Sequence, residues 1–161
     1  MTNPYRTTLL GFDPGRDKCG LAVMGADGQV YAHQVVPAGE AIAQVQQLCG
    51  AFSVTQIVMG NQTTSADWQP RLETALPDMP VALVDERYTS LEARDRYWDL
   101  YPPAGLLKLI PRSLRPIRCP IDDIVAILLI ERYLNTGGSG PSSALELDRE
   151  GGREPRSEAN G

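Results

Sequence analysis

A chain of 161 residues is long enough to bury one sizeable core and too short for two domains of ordinary size. Its 15 Lys and Arg stand against 20 Asp and Glu, a formal net charge of -5, which at first sight disfavours a polyanionic partner. The single histidine, His33, excludes sites built on two histidines, so metal chemistry here would run on carboxylates. Cys19, Cys49 and Cys119 are odd in number and far apart, which excludes a disulfide framework and a Cys-x-x-Cys zinc site and fits a reducing compartment. No apolar run approaches the roughly 18 residues of a membrane span, and the opening residues lack the layout of a signal peptide. A soluble cytoplasmic protein is expected.

In chain order, Thr7–Phe12, Gly20–Met24 and Val30–Val36 read as three strands. Asp27-Gly28 between the second and third signals a tight primed hairpin turn, with Gly28 supplying positive φ. Ala41, Val45, Leu48 and Phe52 recur at helical spacing after Pro37. Gln56–Gly60 reads as a buried strand, Trp68, Leu72, Ala75 and Leu76 as a second helix face, and Val81–Val84 as a fifth strand. Thr89 and Glu92 form a capping-box pattern opening a third helix, which Pro102-Pro103 stops. A nearly all-apolar helix is expected from Asp122 to Leu134. This order predicts an α/β fold: a mixed five-stranded sheet, three antiparallel strands and then parallel ones, flanked by helices. The folded body spans residues 1–135. The Gly-, Ser- and charge-rich stretch 136–161 lacks the apolar surface to offset its ordering entropy and is expected to be a disordered tail.

Three acidic features fall where apolar elements end or begin. Asp13 closes the first strand, Asp85-Glu86 closes the fifth, and Asp122-Asp123 opens the last helix. Each has a plain structural explanation, as turn former, solvated strand end or helix cap. Together they point further: if the first and last strands lie near the sheet centre, their carboxyl ends converge, and the helix adds a third carboxylate. Converging carboxylates repel unless a cation sits among them. Oxygen donors suit Mg²⁺ or Mn²⁺, and two such ions stabilise both the attacking water and the leaving oxygen of a phosphodiester hydrolysis.

Asp13-Pro14-Gly15 with Gly20-Leu21-Ala22-Val23, then Val84-Asp85-Glu86-Arg87-Tyr88-Thr89-Ser90 with Glu92-Ala93, then Asp122 leading into Ala126-Ile127-Leu128-Leu129 and Tyr133-Leu134, resemble the YqgF-like family, a branch of the RuvC-like nucleases. The resemblance covers nearly the whole folded body. It implies a ribonuclease H-like fold and a metal-dependent nuclease acting on structured nucleic acid, in maturation of the small-subunit (pre-16S) ribosomal RNA 5′ end or resolution of Holliday junction-type branched DNA. It also implies Asp13, Glu86 and Asp122 as catalytic acids and ligands of two Mg²⁺ or Mn²⁺ ions, with Asp123 as the fallback third acid. The chain departs from the family pattern in three places: Arg16-Asp17-Lys18-Cys19 follows Asp-Pro-Gly, Gly60-Asn61-Gln62 replaces Gly-x-Pro, and a long Pro102-to-Pro120 segment precedes Asp122.

Arg87, beside Glu86, is expected at a scissile phosphate, and Asn61 and Gln62 offer amide donors for phosphate or sugar. The stretch 87–118 holds seven basic and three acidic residues, so Lys108, Arg112, Arg115 and Arg118 are expected on a nucleic-acid-binding flap. The plainer alternative packs the flap's leucines on the core and leaves its arginines in water. The protein is expected to act as a monomer or homodimer, away from membranes. A non-catalytic RNA- or DNA-binding or ribosome-assembly module on the same fold is the competing reading. A two-lobed sugar-kinase or chaperone-type ATPase is excluded by length.

Overall fold

The structure, a computed structural model, describes residues 7–137 except 62, 63, 88 and 118, and for residue 90 the backbone alone. The expected tail and the candidates Gln62 and Arg118 therefore lie outside the described residues, apart from Thr136 and Gly137. The sheet comprises β1 (Thr8–Asp13), β2 (Lys18–Gly25), β3 (Val30–Pro37), β4 (Gln56–Gly60) and β5 (Val81–Val84), in the order β3-β2-β1-β4-β5. The pairs β1/β2 and β2/β3 are antiparallel, while β1/β4 and β4/β5 are parallel. Four helices follow the expected pattern: α1 (Ala41–Phe52), α2 (Ser65–Ala75), α3 (Thr89–Leu100) and α4 (Asp122–Asn135).

Side chains alternate across the strands, so each face of the sheet has its own core. Leu10, Phe12, Leu21, Val23, Ile57 and Met59 pack with α1 and α2 residues such as Val45, Trp68 and Leu72. On the other face Leu9, Ala22 and Met24 meet Ala126, Ile127 and Ile130 of α4, and Val58 meets Ile124, Leu129 and Ala93 of α3. The run Ile124–Ile130 is buried throughout: α4 lies between the sheet and α3, which explains why it is apolar on nearly all sides.

Two local expectations change. In the β2–β3 connection Gly28 N donates to Gly25 O at 2.9 Å, and Gly28, at φ 85°, has the connection's only positive φ. The chain thus uses a turn followed by a left-handed glycine rather than a primed two-residue turn. The capping box also does not form. Thr89 Oγ1 donates to the Glu86 carbonyl at 2.7 Å, and Glu92 Oε2 pairs with Arg132 at 2.9 Å. Other partners have taken both side chains from the local pattern.

Candidate active site

β1 is the central strand, and it delivers Asp13 at the sheet's carboxyl edge opposite Gly20 of β2. β5 is an edge strand, with β4 between it and β1, so the expectation that first and last strands both lie near the centre holds only for β1. Glu86 instead reaches across the end of β4. A Cβ on Gly60 would collide with the Glu86 carboxyl group, so glycine at this position leaves the passage open. The loop carrying Glu86 is held from two sides. The Thr89 backbone and hydroxyl both donate to the Glu86 carbonyl, and Arg132 of α4 donates to the carbonyls of Asp85 and Arg87, each at 2.6 Å. Sequence reasoning passes over Arg132, although one signal marks it: it is the only basic residue of a helix that is otherwise largely buried and apolar.

Glu86 is 4% exposed, and its carboxyl lies within hydrogen-bonding reach of Asp13. Burial, then the charges of Glu86 and Asp122, push Asp13 from its ordinary 3.8 up to about 8. Burial also raises Glu86, against the Asp13 hydrogen bond and the Arg132 charge. Asp122 stands beside this pair at the start of α4, where no side chain caps the helix. Its Oδ2 lies 3.8 Å from Lys18 Nζ. Its position depends on Gly20, since any side chain there would strike the Asp122 carbonyl. Asp123 turns elsewhere: Oδ2 meets His33 Nδ1 at 2.7 Å and Oδ1 accepts from Ile124 N at 3.0 Å. Of the two acids opening α4, Asp122 therefore bears on Asp13.

Glu86 Oε1 is buried with no hydrogen-bond partner among the described residues. A buried anionic oxygen without a donor is costly, and a cation relieves it. The all-oxygen donor set of Asp13, Glu86 and Asp122 fits Mg²⁺ or Mn²⁺. Among the described residues no three His, Cys, Asp or Glu side chains stand close enough to share one ion. The centre is therefore the Asp13–Glu86 pair, with Asp122 alongside.

The other candidates scatter. Arg87 is exposed and lies 3.6 Å from Asp85; Asn61 is exposed at the end of β4, its backbone N–H donating to the Val84 carbonyl. Between Pro102 and Pro120 the chain forms two short helical turns, Gly105–Leu109 and Arg112–Leu114. Arg112 pairs with Asp99 at 2.6 Å. Arg115 Nε donates to the Leu107 and Ile110 carbonyls, and its guanidinium lies over Trp98. Lys108 is exposed, as are Leu106, Leu109 and Leu114, so the segment's leucines do not all pack inward.

A protein of Psychrobacter sp. named "Putative pre-16S rRNA nuclease" is 32% identical over 152 residues, covering 81% of this chain and 79% of that one. The chain belongs to the pre-16S rRNA nuclease (YqgF) family. Relatives of the same name from Chloroflexus aurantiacus and Bacteroides fragilis are 27% and 29% identical, covering 86% and 80% of this chain and 94% and 96% of their own lengths. No family model matches the chain. Thermus thermophilus RuvC in complex with a Holliday junction substrate superposes with a TM-score of 0.54 at 15% identity, covering 83% of this chain and 98% of RuvC. A second T. thermophilus RuvC structure gives 0.50 at 14%, covering 83% and 99%. The RuvC likeness establishes the ribonuclease H-like fold. No helix among the described residues is long and apolar enough to cross a membrane.

Proposed function

We propose that this member of a nuclease family hydrolyses phosphodiester bonds in the precursor of small-subunit ribosomal RNA, in the cytoplasm, using Asp13, Glu86 and Asp122 to hold two Mg²⁺ or Mn²⁺ ions. The observation that carries the reading is the buried Asp13–Glu86 pair, whose Glu86 Oε1 has no hydrogen-bond partner among the described residues. Asp13, Glu86 and Asp122 would hold the ions, whose Lewis acidity would stabilise the attacking water and the leaving oxygen. The chain does the rest. The Arg132 and Thr89 contacts fix the Glu86 backbone, Gly60 leaves room for its carboxyl group, and Lys18 sets a positive charge beside Asp122. Exposed Arg87 and Asn61 stand at the same edge, available to phosphate or sugar, and Lys108 is the described flap cation free to meet substrate. The names of the relatives favour a ribosomal RNA precursor as substrate, and the RuvC likeness in fold keeps a branched DNA junction as the rival.

The test offers purified protein, with Mg²⁺ or Mn²⁺, a ribosomal RNA precursor, a four-way DNA junction and plain duplex. Cleavage of the precursor is expected, with Asp13→Asn about 10³-fold slower, corresponding to several kcal/mol of lost metal-assisted stabilisation. Cleavage that survives Asp13→Asn or proceeds in chelator would sink the mechanism. Binding without cleavage of any substrate would favour a non-catalytic assembly module.

A further inference from the structure

Most basic side chains of the described body already have partners. Arg87, Arg96, Arg112 and Arg132 pair with carboxylates, Lys18 lies near Asp122, and Arg115 donates to two carbonyls. Among the described residues, Arg16, Arg71, Arg94 and Lys108 have no carboxylate partner within ion-pair distance. Two of these four, Arg16 and Arg71, line one groove of about 500 Å³ with Gly15, Thr64, Asp67 and Trp68. The groove begins at the loop leaving Asp13, two residues along the chain, and is walled by the first turns of α2.

Its walls are tied together by hydrogen bonds. Trp68 Nε1 donates to the Gly15 carbonyl at 3.3 Å and Thr64 Oγ1 to the Pro14 carbonyl at 3.1 Å, tying α2 to the Asp13 loop. The Arg71 guanidinium lies 3.9 Å from the centroid of the buried Trp68 ring. Stacking leaves the N–H edge of the guanidinium open while reducing the rotamer freedom lost on binding, an arrangement suited to phosphate. Asp67 is the one carboxylate in the lining, so the two arginines leave a local surplus of positive charge. The groove has the size of a small-molecule site, comparable to a nucleotide or two of a single strand.

We propose that this groove binds the phosphate backbone of a single-stranded stretch of the substrate next to the scissile bond, with Arg16 and Arg71 each contacting one phosphate. The inference rests on the nuclease reading for its substrate, and its test does not depend on cleavage. Binding of a short fluorescent oligouridylate, and of its deoxy counterpart, is measured by anisotropy in chelator across a salt series, so that a chain that never cuts can still pass or fail. Arg16→Ala with Arg71→Ala is expected to weaken oligouridylate binding about tenfold at low salt. The slope of log K against log salt is expected to become shallower by about 1.4, which is 0.7 for each phosphate no longer neutralised. Arg16→Ala alone, at an exposed side chain, is expected to give half the slope change and an unchanged melting temperature. Arg94→Ala on α3 removes the same charge outside the groove, with little expected change. An unaltered slope in the double variant, an equal loss in Arg94→Ala, or no binding of either single strand by the native chain would overturn the proposal.

Discussion

The acidic end of the sheet and the basic segment between Pro102 and Pro120 carry comparable signals in sequence, a cluster of like charges at the margins of apolar elements. In the fold they take opposite forms. Asp13 and Glu86 come from strands separated by β4 and meet with burial, which raises both; the Glu86 charge raises Asp13 further, and among the described residues neither forms an ion pair with a basic side chain, although the Arg132 charge partly offsets the rise at Glu86. Arg112 and Arg115, by contrast, are drawn to Asp99 and to backbone carbonyls of their own segment. Long flexible cations on an extended loop find local partners. Short carboxylates at the ends of rigid strands cannot move to theirs. Unneutralised charge is thus the better pointer to a site than charge density.

The contrast can be broken at several points. Gly60→Ala puts a methyl group where the Glu86 carboxyl lies and separates the acid pair while sparing every catalytic candidate. Cleavage is expected to fall roughly 100-fold, about 2.7 kcal/mol, read as single-turnover rate in Mg²⁺. Full activity would show that Glu86 does not act from this position. Arg132→Ala removes the clamp on the Asp85 and Arg87 carbonyls and the Glu92 ion pair. It is expected to destabilise the chain by about 2 kcal/mol in urea melts and to lower kcat more than it changes KM. Recovery of kcat by Arg132→Lys alone would argue for charge rather than for the two-carbonyl geometry.

Without metal, Asp13 stays protonated in the folded chain up to about pH 8 and ionises near its ordinary 3.8 when unfolded. The folded state therefore binds the extra proton in between, and stability falls as pH rises from about 4 to 8. Glu86, also raised, acts with the same sign. Melting temperature in chelator should decline across that window, Asp13→Asn should flatten the decline, and Mg²⁺ at pH 8 should restore it. A profile unchanged by Asp13→Asn would mean that the acid pair is not under electrostatic strain. The smallest effect is expected in the basic segment: Arg112→Ala removes a half-exposed ion pair and should cost about 1 kcal/mol or less, with RNA affinity changed less than about twofold. A tenfold loss would restore Arg112 to the substrate interface.

Much of the arrangement is legible in the amino-acid sequence. Strand periodicity places Asp13 at the end of β1, the apolar run after Asp122 identifies a buried helix, and the order of elements leads to the mixed sheet. Local patterns fail where another partner competes. Thr89 and Glu92 match a helix cap, yet a carbonyl three residues back and an arginine forty residues on bind them more favourably. Asp122 and Asp123 are adjacent and chemically identical, and only the packing of α4 against β2 and β3 gives one to the acid cluster and the other to His33.

By itself the chain's alternation of period-2 and helical patterns determined the sheet, the helices and which acids lie at element ends, because those depend on near neighbours and on which side chains avoid water. Tertiary structure decided which charges find partners and which, among the described residues, do not: Arg132 of α4 clamps the loop after β5, while Glu86 reaches over Gly60 and Arg16 and Arg71 are left open in one groove. Neutralisation is a contest among all groups within a few ångströms, and that neighbourhood exists only once the chain has folded.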